Sequence, residues 1–278
     1  MSIIFIAGLP RSGTTFLQSQ FLNFDKVVAL GEVTQTIYAI KNIEKKSPTW
    51  KLLLKLRNKS YWNRKTYPIL LERIRKDSFW SKIEDDIRST NSIKEAIELV
   101  YSAAYTIYPN HLLIDSSKSI NHLKISMESE KYKAKIFVIH CVRDYRGWIY
   151  SIKKHKKRLG YIKRSDLFEA YTWLKANKQI LKLLKLNFHK QHLIVSYDKM
   201  IFNYSESMKK MAAILKLSAR TENSPEQKFH EILGSQTFKE NINTKDLMYD
   251  SEWFQYQSTC LETPVQRLNK AIYKMHLN

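Results

Sequence analysis

Residues 8–15, with the sequence GLPRSGTT, have the composition of a turn that binds phosphate-like anions. The turn follows an apolar run and opens a helical pattern, so free backbone N–H groups and the positive end of the helix dipole meet at one point. Gly8 and Gly13 match the glycines of the nucleotide-hydrolase pattern GxxxxGK(S/T), but Thr14 stands where that pattern has lysine. We therefore predict an anion site without the usual ammonium group, with an ordinary strand–turn–helix junction as the alternative.

A second segment, residues 142–151 with the sequence VRDYRGWIYS, predicts another anion site. Arg143 ends a buried apolar strand, and Ser151 follows eight residues later, which is about two helical turns. An Arg at the carboxyl end of a strand and a Ser on the next helix can both reach an anion at the edge of the sheet.

These two segments resemble the donor-binding motifs of sulfotransferases that use 3′-phosphoadenosine 5′-phosphosulfate (PAPS). The likeness is to the membrane-bound carbohydrate and tyrosylprotein branches and their bacterial relatives. Residues 10–17, PRSGTTFL, are similar to the 5′-phosphosulfate loop, and residues 142–151 to the 3′-phosphate motif. The resemblance implies that Arg11 contacts the transferred group and that Arg143 and Ser151 grip the 3′-phosphate. The residues implied around the 5′-phosphate are Ser12, Gly13, Thr14 and Thr15.

Three shorter matches extend the resemblance. In LIDSSK at residues 113–118, Lys118 would face the sulfuryl group, with a solvated lysine at a helix start as the alternative. In VSYD at residues 195–198, Tyr197 would touch the nucleotide or belong to the core. The segment from His230 to Trp253 resembles the loop that closes over the 3′-phosphate, with Lys239 in place of the usual Arg.

Glu32 is the candidate general base. It lies 21 residues after Arg11, at the end of the apolar stretch Val27 to Leu30. If that stretch is a neighbouring strand, its end overlooks the same crevice, where a desolvated carboxylate can accept a proton. The string Gly-Glu-x-Thr is similar to tyrosylprotein sulfotransferases, whose Glu is the base. A loop Glu paired with a neighbouring Lys is the alternative.

The histidines and cysteines point away from metal or nucleophilic chemistry. His140 lies within a buried strand, where a hydrogen-bonded core imidazole is expected. No zinc-ligand spacing is present, and no metal is required for the predicted reaction. Cys141 and Cys260 cannot form the disulfide framework of a secreted scaffold, so a reducing, cytoplasmic location is expected.

Short apolar strands alternate with helical patterns along the chain. Such alternation predicts an α/β fold, a P-loop nucleotide-kinase-like open parallel sheet flanked by helices. The predicted strands are Ile3 to Ala7, His111 to Asp115, Lys135 to Val142 and His192 to Ser196. Residues 35–108 have no comparable strand and predict a helical acceptor-side insertion in a single domain of residues 1–278.

The 278 residues include 47 Lys plus Arg and 26 Asp plus Glu, for a net charge of +21. With 44% hydrophobic residues the chain can build a core, which excludes intrinsic disorder. A charge of this size is compatible with nucleic acid, anionic lipid or an acidic substrate as a partner. Most of the lysines, however, are scattered along the chain, which is typical of solvent-exposed helix faces. No apolar run is long enough for a transmembrane segment.

The sequence therefore predicts PAPS-dependent transfer of a sulfuryl group to a hydroxyl, most readily on a carbohydrate or glycolipid. Two rival functions remain open: a P-loop kinase that needs ATP and Mg²⁺, and a basic nucleic-acid-binding protein on the same scaffold. No recognition-helix, RRM or OB signature supports the second, so no nucleic-acid partner is predicted. A relative that binds the nucleotide without transfer is a further alternative, and the oligomeric state stays open.

Overall fold

The protein is described by a computed structural model. The described residues are 3–41, 66–158, 164–188, 191–221, 228–230, 232, 251–255 and 264–277.

Six strands form one sheet in which all neighbours are parallel, in the order β5-β4-β1-β3-β2-β6. The strands are β1 (Ile3–Gly8), β2 (Val27–Gly31), β3 (Leu112–Lys118), β4 (Ile136–Val142), β5 (His192–Ser196) and β6 (Lys228–Phe229). This arrangement confirms the predicted α/β fold with an open parallel sheet.

Helices cover both faces of the sheet. The helices outside the β2–β3 connection are α1 (Thr14–Gln20), α6 (Ile120–Met127), α7 (Tyr145–Arg158), α8 (Asp166–Asn187), α9 (Tyr197–Phe202), α10 (Tyr204–Leu215) and α11 (Pro264–Lys274). Those between β2 and β3 are α2 (Val33–Lys41), α3 (Thr66–Lys76), α4 (Trp80–Ser89) and α5 (Ile93–Ile107). Residues 42–65 of the expected insertion, with Trp50 and Trp62, lie outside the described residues. None of the described helices is long and apolar enough to cross a membrane.

The core lies on both faces of the central strand β1, whose six residues are all buried. Successive side chains of a strand point to opposite faces. Ile3 and Phe5 accordingly join one apolar cluster, under the helices between β2 and β3, while Ile4 and Ile6 join another with residues of α1 and α10. Burial on both faces explains why β1 appears in the sequence as a continuous apolar run.

Two features differ from the sequence-based expectation. β3 continues past Asp115 to Lys118, whose backbone has a φ of 67°. The Lys118 side chain is only 15% exposed and pairs with Glu32, so the alternative of a solvated lysine at a helix start is wrong. The polar residues before it resemble a loop in sequence, but Ser117 is buried, and its N–H donates to Asp115 within the strand end. β6 was not predicted, because two residues of mixed polarity give no periodic signal.

The parallel arrangement brings all strand ends to one edge of the sheet, which is where ligands bind in open α/β folds. The residues that follow or end the strands there, in spatial order from β5 to β6, are Tyr197, Arg143, the loop of residues 8–15, Lys118, Glu32 and His230. Both predicted anion sites and the predicted base therefore share one edge.

Candidate active site

The loop of residues 8–15 has a backbone that requires glycine at one position. Gly13 has a φ of 88°, and a Cβ atom there would lie 2.1 Å from Cδ2 of Tyr197. Arg11 also has a positive φ, of 71°, which turns the chain sharply between β1 and α1. The loop is therefore a tight turn pressed against the ring of Tyr197.

Protein donors hold the carbonyl groups of this loop. Trp148 Nε1 donates to the carbonyl of Pro10 at 2.8 Å, and Cys141 Sγ donates to the carbonyl of Ser12 at 3.1 Å. The N–H of Ser12 donates to the carbonyl of Leu9 at 3.2 Å. Oxygens that would repel an anion are thus engaged by the protein, and the loop geometry is fixed in advance.

The side chain of Ser12 fits a bound phosphate. Its Oγ is buried and has no hydrogen-bond partner among the described residues. A buried hydroxyl without a hydrogen-bond partner lowers the stability of the folded state by about 1–3 kcal/mol. Such a group therefore calls for an explanation, and binding of a ligand at a functional site is one. Thr14 and Thr15 are buried beside it. The residues present therefore suit the 5′-phosphate of a nucleotide donor.

Arg11 joins the loop to the second predicted anion site, formed by Arg143 and Ser151 and called the Arg143 cluster below. Its Nε donates to Ser151 Oγ at 3.3 Å. Arg143 is buried, its guanidinium lies 5.6 Å from the centre of the Tyr197 ring, and its carbonyl accepts a hydrogen bond from Trp173 at 3.1 Å. The loop after β1 and the cluster after β4 are therefore neighbours at the sheet edge, in contact through Arg11 and Ser151.

Trp253 packs over the Arg143 side of this cluster. A Cβ atom at Gly147 would lie 3.1 Å both from Arg143 Nε and from the ring of Trp253, so glycine lets these groups approach. Arg146 lies 5.3 Å from the Trp253 ring. Lys239, predicted to bind the 3′-phosphate from the same closing segment, lies outside the described residues.

Sequence reasoning missed the groups that hold the turn after β4. The buried carboxylate of Asp144 accepts hydrogen bonds from Arg146 Nε at 3.0 Å and from Asn269 at 2.9 Å. The N–H of Asp144 donates to the carboxylate of Asp198 at 2.6 Å. Asp198 follows β5 and Asn269 belongs to α11, so only the fold brings them to this turn.

Glu32 and Lys118 form an ion pair across the ends of β2 and β3. Their side chains are only 16% and 15% exposed, so water screens the pair weakly. In the register of the sheet Lys118 is opposite Ala7, the residue before the anion loop begins at Gly8. The candidate base and its partner therefore border the loop on the side away from Arg143.

A buried network lies directly behind this ion pair. Asp115 accepts hydrogen bonds from Tyr101 Oη at 2.6 Å and from the N–H of Ser117 at 2.8 Å, and Ser117 Oγ accepts from the N–H of Thr34 at 3.1 Å. Burial raises the pKa of Asp115 to about 6, and the nearby Glu32 carboxylate adds to the increase. Burial and Asp115 together raise the pKa of Tyr101 well above its usual value. The network fixes the start of α2, next to Glu32.

His230 lies at the far end of the edge in a hydrogen-bonded chain. Its Nδ1 is 3.0 Å from Asp77 Oδ1, and its Nε2 is 2.8 Å from the Tyr108 hydroxyl. The N–H of His230 also donates to the carbonyl of Ala29, which extends the pairing of β6 with β2. The chain ties β6 to the helices between β2 and β3, a role that the sequence did not predict.

His140 is the core imidazole that the sequence predicted. It is fully buried, its Nε2 is 3.0 Å from the amide oxygen of Asn177, and burial lowers its pKa to about 4. Within the described part of the chain, no group of three His, Cys, Asp or Glu residues is arranged to hold a metal ion. Cys141 is a buried free cysteine, and burial raises the pKa of its thiol.

Comparisons with known proteins agree with this geometry. A family model described as a sulfotransferase domain matches residues 2–250. No curated protein matches the chain. The sulfotransferase domain from the Synechococcus PCC 7002 olefin synthase is 16% identical, with a TM-score of 0.68 over 98% of this chain and 94% of that domain. The sulfotransferase domain from the curacin biosynthetic pathway is 19% identical, with a TM-score of 0.66 over 98% of this chain and 97% of that one. The two structures support the fold, and the family model establishes that the chain belongs to the sulfotransferase family and is a transferase acting on a hydroxyl acceptor.

Proposed function

We propose that this sulfotransferase uses PAPS, the usual donor of the family, and transfers its sulfuryl group to a hydroxyl of a carbohydrate or glycolipid. One observation carries the proposal. The hydrogen bond from Arg11 to Ser151, at 3.3 Å, brings the anion loop against the second anion cluster, while the Glu32–Lys118 pair borders the other side of the loop. In this proposal the edge would hold two phosphates and a proton acceptor in one line.

The donor end of this line suits a nucleotide with a phosphate at each end of its ribose. Residues 12–15 would hold the 5′-phosphate with backbone N–H groups and with the buried hydroxyl of Ser12. Arg143 and Ser151 would hold the 3′-phosphate, and a guanidinium with low exposure binds phosphate oxygens strongly. Tyr197 packs between Gly13 and Arg143, so it positions both sites whether or not it touches the nucleotide.

PAPS would supply an activated sulfuryl group, and the chain would supply charge and orientation. Sulfuryl transfer resembles phosphoryl transfer, with an in-line displacement through a loose transition state. Arg11 is placed to leave Ser151 and contact the oxygens of the transferred group. Fixed positive charge at that point stabilises a transition state in which the leaving phosphate becomes more negative.

Glu32 is the proposed base, and Lys118 is its partner. The acceptor oxygen would form a bond to sulfur, the bond from sulfur to the leaving phosphate oxygen would break, and the hydroxyl proton would move to the Glu32 carboxylate. Lys118 orients that carboxylate through their ion pair and lies beside the loop, where its ammonium can also contact the sulfuryl oxygens.

The acceptor would enter over the helices between β2 and β3, since α2 begins next to Glu32. The carbohydrate or glycolipid assignment rests on the resemblance of residues 10–17 to the carbohydrate branch. The rival kinase function is disfavoured because Thr14 replaces the lysine that nucleotide hydrolases place at the γ-phosphate.

The test is a transfer assay with PAPS, a panel of monosaccharide, oligosaccharide and glycolipid acceptors, and mass spectrometric detection of the added sulfuryl group. We expect an acceptor within this panel and activity that persists with a chelator present. Transfer only to acceptors without sugar would overturn the acceptor class. Phosphoryl transfer from ATP with Mg²⁺, and none from PAPS, would overturn the proposed reaction.

A further inference from the structure

The outer face of α8 combines exposed apolar and cationic side chains on one side of a helix of 22 residues. At 1.5 Å per residue this helix is about 33 Å long. Residues that recur every three or four positions share a helix face. The exposed lysines on this face are Lys175, Lys178, Lys182 and Lys185, and the exposed apolar residues are Leu167, Phe168, Tyr171 and Leu186. We call these eight residues the α8 face.

The apolar part of the α8 face is unusually accessible. Leu167 is 72% exposed, Tyr171 is 59% exposed and Phe168 is 46% exposed, all within the first two turns of the helix. The guanidinium of Arg164 lies 4.7 Å from the centre of the Phe168 ring, so a cation accompanies this apolar end as well. A cluster of large exposed apolar side chains marks an interaction surface.

Within the described residues, the acidic side chains of α8 itself do not add negative charge to the α8 face. The two acidic residues of α8, Asp166 and Glu169, are buried and form ion pairs with Lys153 and Lys156 of α7. The two helices packed beside α8, α7 and α11, contain no acidic residue at all. The exposed charges of the α8 face are therefore positive, with Arg164 beside its apolar end and the four lysines along the rest of the helix.

We propose that the α8 face docks on the anionic surface of a lipid bilayer. Exposed apolar side chains can enter the head-group region of a membrane while neighbouring lysines contact its anionic lipids. Each Lys near an anionic leaflet contributes to binding. Phe168 and Tyr171 could stack on nucleic-acid bases, but the aliphatic Leu167 and Leu186 near the two ends could not. A membrane interface accommodates all four side chains, which favours lipid over a single-stranded polynucleotide.

Docking of this kind would place the nucleotide site close to the membrane. Trp173, on the buried side of α8, donates a hydrogen bond to the carbonyl of Arg143 at 3.1 Å. The inference itself stands on the exposure and charge of α8 and does not depend on which donor or acceptor the enzyme uses.

The first experiment measures co-sedimentation of the full chain with phosphatidylcholine vesicles that contain or lack phosphatidylserine. We expect binding only to the anionic vesicles. The variant Lys175→Gln/Lys178→Gln/Lys182→Gln should bind them about 100-fold more weakly. The matched control, Lys82→Gln/Lys209→Gln/Lys210→Gln, removes the same charge from exposed sites outside α8. Its affinity for anionic vesicles should fall by less than about 3-fold, because salt screens charges that lie far from the membrane surface.

A second variant tests the apolar part. Leu167→Ser/Phe168→Ser/Tyr171→Ser keeps every lysine and should weaken vesicle binding by at least about 10-fold, with the deficit persisting at high salt, where apolar contacts dominate. Equal losses in the α8 and control variants would overturn the proposal, because the attraction would then come from net charge. Absence of binding to anionic vesicles, or tighter α8-dependent binding to oligothymidylate than to vesicles, would overturn it too.

Discussion

Arg11 contacts both halves of the candidate site, since it belongs to the anion loop and its Nε donates to Ser151 at 3.3 Å. If its guanidinium stabilises the transferring group, Arg11→Ala should lower kcat by about 100-fold to 1,000-fold, the usual effect of removing such a donor. The affinity for the product adenosine 3′,5′-bisphosphate (PAP) should fall less than kcat does. Steady-state kinetics and calorimetry measure the two effects.

Arg267 provides a matched control for this substitution, because it is exposed on α11 and has the same charge. Arg267→Ala should leave kcat unchanged. An Arg11→Ala enzyme with the turnover of the wild type would remove the catalytic assignment of Arg11.

Glu32 makes a second prediction at the residue scale. Glu32→Gln keeps the size of the side chain and a hydrogen-bond acceptor for Lys118 but removes the base, so kcat should fall by about 100-fold to 10,000-fold while PAP affinity stays near that of the wild type. Rapid-quench kinetics with PAPS and acceptor separates the chemical step from binding. Glu206→Gln, on the exposed face of α10, is the control. Full turnover by Glu32→Gln would assign the base elsewhere.

The motif residues of the candidate site were visible in the sequence, whereas the residues that support them were not. Arg11 and Arg143 stand in contiguous motifs, so their types and spacing are visible in the chain. Asp115 and Asp198 act through partners far away in sequence, such as Tyr101 and the N–H of Asp144. Nothing in a single sequence shows which distant groups will share a hydrogen bond.

At the scale of elements, the buried carboxyl group of Asp115 near the end of β3 makes the free energy of unfolding of the protein depend on pH. The pKa of Asp115 is about 6 in the folded protein, against about 3.9 for an unfolded chain. Between these values the folded protein holds a proton that the unfolded chain has released. The stability contributed by this group therefore falls as the pH rises from about 4 to about 6.

His140 acts in the opposite direction over nearly the same range. Its pKa is about 4 in the folded protein, against about 6.5 in the unfolded chain, so the unfolded chain holds the extra proton and stability rises with pH. In the wild type these two dependences partly cancel. Asp115→Asn removes the dependence that comes from Asp115. Between pH 4 and 6.5 the free energy of unfolding of this variant should therefore rise more than that of the wild type, and the difference should be on the order of 2–3 kcal/mol.

Urea unfolding of the wild type and of Asp115→Asn at several pH values measures this difference in slope. Asp86→Asn, an exposed carboxylate on α4, should follow the wild type. Parallel curves for Asp115→Asn and the wild type would contradict the assignment of a raised pKa to Asp115.

Elements with a strong apolar pattern were predicted within a few residues, and short or polar ones were not. β1, β4 and β5 are continuous apolar runs because helices cover both faces of the sheet. The end of β3 was missed because a buried, hydrogen-bonded Ser117 looks like a loop residue in sequence. β6 has only two residues and is held by His230, whose partners Asp77 and Tyr108 lie in the helical region.

At the scale of the whole molecule, the order of the strands explains the function better than the composition does. The net charge of +21 suggested several anionic partners without choosing among them. The strand order β5-β4-β1-β3-β2-β6 places the Arg143 cluster, the anion loop and the Glu32–Lys118 pair in sequence along one edge. The sequence did not predict that order, and the contact between Arg11 and Ser151 likewise required the folded chain. The single-domain organisation, the cytoplasmic location and the role of Lys239 stay predictions.

The central claim is that one donor spans the anion loop and the Arg143 cluster. Calorimetric titration of the wild type, Arg11→Ala and Arg143→Ala with PAP, adenosine 5′-monophosphate and ATP, with no metal present, tests it most directly. We predict that PAP binds the wild type more tightly than the other two ligands do. Arg143→Ala should lower the affinity for PAP by at least about 10-fold, which is the scale of one charged hydrogen bond. Adenosine 5′-monophosphate, which lacks the 3′-phosphate, should be unaffected by Arg143→Ala. Equal losses for both ligands, or tighter binding of ATP than of PAP, would contradict the claim.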